Sequence, residues 1–178
     1  LVGPYEEFDA AAAPDDPRDL FVTGATGFVG SFLLAELLRT TAATMHCLVR
    51  AGTPEEGLDR IRTTMRDYGI WDDAHAARIV AVPGDLTRPR LGVTDAAWAD
   101  LAATADGIVH CGADVNFLRP YPTLKSANVD GTVQVLALAC DGPVKPVHFV
   151  STTYVFSRFS YPQDTVFAED DRSPVQDH

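Results

Sequence analysis

Long apolar runs are missing from this sequence. No stretch reaches the roughly 18 consecutive apolar residues of a membrane-spanning helix, so no membrane partner is expected. Basic residues are scarce: 14 Lys and Arg stand against 25 Asp and Glu, a formal net charge of -11. That balance excludes a nucleic-acid backbone as partner, because such binding needs a basic face. Cysteine is sparse as well, with only Cys47, Cys111 and Cys140. An odd count without metal-ligand spacing excludes a disulfide framework and gives no metal site. It fits small buried residues of a reducing compartment, hence a cytoplasmic location. The opening residues, LVGPYEEFDAAAAPDDPRD, lack a basic region followed by an apolar core and so do not read as a signal peptide. Their Pro, Ala and Asp content reads as a linker over residues 1–18, pointing to a piece of a longer polypeptide.

What is present suits one globular domain over residues 19–178. Hydrophobic residues make up 46% and charged residues 22% of the 178, enough to bury a core. Short apolar runs alternate with helical patterns, and no internal repeat interrupts them. LFVT (Leu20 to Thr23), MHCLVR (Met45 to Arg50), RIVAV ending near Pro83, GIVHCGA (Gly107 to Ala113) and PVHFVST (Pro146 to Thr152) read as strands. Helices are expected from Ser31, from Thr53 as N-cap with Pro54 at the first helical position, from Asp95, and from about Thr123 to Cys140. This alternation predicts an α/β fold of the Rossmann-like, doubly wound kind, a parallel sheet covered on both faces. After Thr152 the regularity fades into a Pro-, Asp- and Ser-rich tail, and the pattern stops after the fifth strand.

Between the first strand and first helix lies VTGATGFVG, which places Gly24, Gly27 and Gly30 at G-x-x-G-x-x-G spacing. Gly24 permits a tight turn, Gly27 lets backbone approach a pyrophosphate, and Gly30 lets helix and strand pack closely. Free N–H groups of Phe28, Val29 and Gly30 at the helix start would meet the anion, and Thr23 and Thr26 are placed to add hydroxyl donors. The second strand ends CLVRAG, with Arg50 where an NAD enzyme usually has an acid for the ribose 2′-hydroxyl. An arginine there suits a 2′-phosphate, with Arg60 and Arg62 on the next helix in reach, so the expected cofactor is NADP. Asp85 and Leu86 of PGDL fall where such folds flank the adenine, and Cys111, Gly112 and Ala113 where the chain runs past adenosine and ribose. His110 reads as a satisfied strand histidine without chemistry of its own.

The set VTGATGFVGSFLLAELL, CLVRA, GDL, HCGADVNFLRPYPTLKSANVDGT and VHFVSTTYVF resembles the thioester reductase domains of nonribosomal peptide synthetases and carboxylic acid reductases. These are a branch of the extended short-chain dehydrogenases. The resemblance spans about Asp19 to Asp171. Its more specific elements are H-x-x-A-x-V-N, here HCGADVN, and A-N-V-x-G-T, here Ala127 to Thr132, which adds Asn128 to the cofactor set. It implies NADPH-dependent reduction of a phosphopantetheine-tethered acyl or peptidyl thioester to an aldehyde or alcohol, with a carrier protein as partner within a multidomain synthetase. It also implies a catalytic Thr or Ser after the fifth strand, here Thr152 with Ser151 and Thr153 as lesser candidates, followed by Tyr and Lys in Y-x-x-x-K.

That last pair is where the sequence departs. Tyr161 is followed at the fourth position by Thr165. Tyr121 and Lys125 have the spacing but precede Thr152, and Pro120 and Pro122 favour an extended entry that leaves only Lys125 within the helix. The chain is therefore expected to supply the cofactor-binding half of a reductase and to be redox-incompetent alone. The alternatives are a redox-inactive release or cyclisation domain of the same fold, and a nucleotide-binding docking module. A sugar-nucleotide epimerase is disfavoured by Arg50.

Overall fold

A computed structural model of the chain describes residues 16–152, 162 and 164–168. Five strands, β1 (Asp19–Thr23), β2 (Thr44–Val49), β3 (Ile79–Pro83), β4 (Gly107–His110) and β5 (Val147–Phe149), form one sheet in the order β3-β2-β1-β4-β5. Every pairing is parallel, with Phe21 opposite His46 on one side and Ile108 on the other. The helices are α1 (Phe28–Thr40), α2 (Pro54–Asp67), α3 (Asp95–Thr104), α4 (Tyr121–Lys125) and α5 (Gly131–Cys140).

Strand periodicity divides the core in two. Leu20, Val22, Met45, Cys47, Val49, Ala81 and Val109 pack with Leu34 and Leu38 of α1 and Ile61 and Met65 of α2. Phe21, Leu48, Val82 and Ile108 point to the other face, against Trp98 and Leu101 of α3 and Val135 and Leu138 of α5. Alternate residues of one strand thus feed opposite layers, which is why the strands read as unbroken apolar runs. Burial pushes the Cys47 thiol up to about 12. No helix among the described residues is long and apolar enough to cross a membrane.

The order β3-β2-β1-β4-β5 has a physical consequence. The connections out of β1 run towards β2 and those beyond β4 run towards β5, so a crevice opens between the carboxyl ends of β1 and β4. The glycine turn leaves β1 at that point.

Several expectations are amended, among them β4, which ends at His110 rather than running to Ala113. β5 is confined to Val147–Phe149 rather than Pro146 to Thr152, although the Val150 amide still donates to the His110 carbonyl at 2.9 Å. The fourth helical stretch begins at Tyr121 itself, because Pro120 is an extended N-cap and Pro122 falls in the first turn, where its missing N–H is one of the orphan donors. That stretch is also not uniform: residues Ser126–Asp130 form a π turn between α4 and α5.

Candidate cofactor-binding site

The turn after β1 is built by close approach. Gly24 has φ +82°, and a Cβ there would fall 2.7 Å from the Gly112 nitrogen. A Cβ on Gly30 would lie 2.0 Å from the Gly24 carbonyl oxygen, so α1 can start where it does only on a glycine. Gly27 is the N-cap of α1, its amide donating to Gly24 O at 2.8 Å, and no side chain caps the helix. The first-turn amides of Phe28, Val29 and Gly30 therefore face the crevice end of the helix without a side-chain acceptor, the arrangement that accepts an anion. The Phe28 ring itself turns outward, 66% exposed, into an aromatic cluster with Phe32 and Tyr68 at 5.4 and 5.6 Å. Thr26 lies in the turn, half-buried.

Thr23 differs from expectation. It is fully buried, and its hydroxyl lies 2.6 Å from His110 Nδ1 while accepting the Gly112 amide at 3.0 Å. It is committed to joining β1 to β4 and is not turned to a phosphate. The reason is its place in the sheet: Thr23 is the last residue of β1 and lies opposite His110, the last residue of β4.

At the tip of β2, Arg50 is exposed, and its carbonyl accepts from the Arg60 guanidinium. Arg60 thus braces the chain where it leaves β2. Asp85 follows β3 and caps its own turn, accepting from the Thr87 amide at 2.9 Å and hydroxyl at 2.8 Å. Burial would raise its pKa, but the Thr87 hydrogen bonds and the charges of Arg50 and Arg88 prevail and hold it below the usual value. Arg50 and Arg88 therefore share one electropositive corner with Asp85. Arg62 is elsewhere, paired with Asp59 at 2.6 Å and lying over Trp71 at 5.4 Å.

Past β4, Cys111 is half-buried, Gly112 buried and Ala113 exposed, with the Cys111 amide on Thr23 O at 3.3 Å. Leu86 supplies the wall opposite: a Cβ on Gly112 would fall 2.7 Å from Leu86 Cδ1, and one on Gly131 would fall 2.8 Å from the Leu86 carbonyl oxygen. Asn128, in the π turn, bonds the loop after β4. Its Oδ1 accepts the Asp114 amide at 2.7 Å and its Nδ2 donates to the Asp114 carbonyl at 3.0 Å, clamping the loop after β4. Sequence reasoning found Asn128 as a family marker; the clamp, and the role of Thr132 against His110 Nε2 at 3.1 Å, had no local signal.

Ser151 and Thr152 follow β5 at the carboxyl edge of the sheet and are exposed. Thr153 and Tyr161 lie outside the described residues. Tyr121 is exposed, and Lys125 Nζ donates to Asp130 at 2.5 Å, a hydrogen bond that raises its pKa. The pair sits on α4, with Lys125 paired to Asp130. Among the described residues no group of His, Cys, Asp and Glu could hold a metal ion.

Residues 22–176 match the model of an NAD-binding family described as Male sterility protein. The chain is 47% identical over 168 residues to a linear gramicidin synthase of Brevibacillus parabrevis, covering 94% of this chain and 3% of that protein. It is 42% identical over 148 residues to the L-2-aminoadipate reductase large subunit of Penicillium chrysogenum, covering 82% and 10%. Among solved structures, the terminal R domain from the myxalamid PKS-NRPS biosynthetic pathway superposes with a TM-score of 0.78 at 46% identity, over 80% of this chain and 36% of that one. The R domain of a nonribosomal peptide synthetase from Mycobacterium tuberculosis gives 0.66 at 34% identity, over 80% and 35%. The chain thus spans a small part of the curated relatives and about a third of the solved reductase domains.

Proposed function

The chain belongs to the Male sterility protein family, with the reductase domains of nonribosomal peptide synthetases among its relatives, and from that premise we propose that residues 19–178 form the NADPH-binding half of a thioester reductase. The observation that carries the reading is the glycine turn at the β1/β4 crevice, seated against Gly112 and opening a helix whose first turn has no side-chain cap. Amides of Phe28, Val29 and Gly30 would hold the pyrophosphate. Arg50 and Arg88 supply positive charge for a 2′-phosphate, Arg60 orients Arg50, and Leu86, Cys111, Gly112 and Ala113 border the nucleoside. When bound, the cofactor supplies a hydride. Thr152, at the sheet's carboxyl edge, donates a hydrogen bond to the substrate oxygen as negative charge gathers there. A carrier protein presents the thioester.

Cofactor titrations test the nucleotide assignment. Arg50→Ala is expected to weaken NADPH binding about tenfold, the worth of one charge-assisted contact, and to leave NADH binding unchanged. Equal weakening of both would overturn the NADP assignment. A carrier-bound acyl thioester presented to the intact polypeptide should release product only with NADPH; release without cofactor would overturn the reductase reading.

A further inference from the structure

We infer that His110 is a positioning residue for the nucleotide-facing loop 111–114, acting through Thr23 on one side and Thr132 on the other. The inference rests on the reading that this crevice takes NADPH. His110 is the last residue of β4 and is 1% exposed, and its ring lies against Phe149 of β5 at 5.3 Å between centroids. Its two ring nitrogens meet two hydroxyls, Thr23 Oγ1 at 2.6 Å and Thr132 Oγ1 at 3.1 Å.

The direction of each hydrogen follows from the ends of the chain of contacts. Thr132 donates its only hydroxyl hydrogen to the Asn128 carbonyl at 2.7 Å. Its oxygen is then an acceptor, so Nε2 carries the proton. At the other end the Gly112 amide can only donate, and it does so to Thr23 Oγ1 at 3.0 Å. With Nδ1 bare, the Thr23 hydroxyl donates to it and no buried group is left over. A charged ring would orphan the Thr23 hydrogen inside a pocket whose polar partners, among the described residues, are two hydroxyls and no carboxylate. Burial lowers the His110 pKa, in keeping with a neutral ring.

Both anchors of loop 111–114 hang on this line. Gly112 is held by Thr23, and Asp114 is held by Asn128, whose carbonyl carries Thr132. His110 takes the Thr23 hydrogen and donates to the Thr132 oxygen, and so ties together the two anchors of the backbone that borders the nucleoside.

Three measurements test this. A long-range proton–nitrogen spectrum of the wild-type chain at neutral pH should show a single neutral Nε2–H tautomer, and an Nδ1–H or charged ring would overturn the wiring. NADPH dissociation constants, taken per folded molecule by fluorescence titration, should rise about tenfold in His110→Phe. That variant keeps the stacking on Phe149 and loses both polar contacts, whereas His110→Asn retains an acceptor towards Thr23 and should recover part of the loss. His110→Phe combined with Thr23→Val should bind no more weakly than the worse single variant; should His110→Phe not fold, Thr132→Val gives the same readout. Thermal midpoints that fall while every dissociation constant stays at the wild-type value would overturn the inference and leave the cofactor reading standing. Failure of the wild-type chain to bind NADPH would overturn both.

Discussion

A methyl group at Gly30 would fall 2.0 Å from the Gly24 carbonyl oxygen, backbone that cannot retreat without unseating β1 from β4. Gly30→Ala is therefore expected to destabilise the chain by about 1–3 kcal/mol or more through overpacking, read as a lower urea midpoint. The proton on His110 gives a second residue-scale outcome. Burial lowers its folded-state pKa, whereas in the unfolded chain a histidine titrates near 6.5. The unfolded state thus binds the extra proton first, so the stability contributed by His110 is full above about pH 6.5 and is lost as pH falls below it. Urea unfolding at about pH 7.5 and about pH 5.5 should show a decline in the wild type that is shallower in His110→Phe. The thiols give a third. Cys140 is exposed, Cys111 partly so with its pKa raised, and Cys47 is buried. A maleimide should label Cys140 first, Cys111 slowly, and Cys47 only on unfolding, and NADPH should slow Cys111 alone.

At the scale of elements, what could be read from the sequence was what depends on neighbours along the chain. Thr53 caps α2 through the Glu56 amide at 3.2 Å, and Pro54 sits in its first turn, both local signals. The π turn at Ser126–Asp130 had no such signal, because it answers to the Asp114 backbone 14 residues earlier. The loop at 89–92 was equally hidden. Arg90 and Leu91 take φ of 50° and 58°, a region neither residue favours, and are held there by the Gln134 side chain on the Arg90 amide and by full burial of Leu91. Arg78 is a comparable long-range device: its guanidinium donates to the carbonyls of Leu38, Thr41 and Ala43, closing the end of α1. Arg78→Ala should cost about 1–3 kcal/mol by leaving those carbonyls without their donor, and amide exchange in the last turn of α1 should quicken more than in α2.

For the molecule as a whole, alternation of apolar runs and helical periods was enough to obtain the parallel sheet and its two-faced core. Strand order was not written locally, since it follows from how the crossovers turn. The turn at the crevice was legible where close backbone approach demands a residue without a side chain at a fixed distance from a strand end, as with Gly24 and Gly30. The candidate site was not legible where a side chain serves a partner remote in sequence, as with Thr23 and Asn128. Net charge also acts at this scale. At -11 the folded chain repels itself, so raising sodium chloride from about 10 mM to about 200 mM should raise the thermal midpoint by screening. A flat response would show that its ion pairs, such as Arg39 with Glu36 at 2.6 Å, offset that repulsion.

The cradle around the crevice is shaped by four missing methyl groups, at Gly24, Gly30, Gly112 and Gly131, each facing an atom within 2.8 Å of where its Cβ would stand. Such positions vary in one direction only, towards added bulk, and every such step closes the cleft. Under the proposed function, variation in cofactor preference would then fall on the rim, at exposed Arg50, Val29 and Ala113. A saturation library selected for folding should come back with these four positions nearly monomorphic and the rim populated by many residue types.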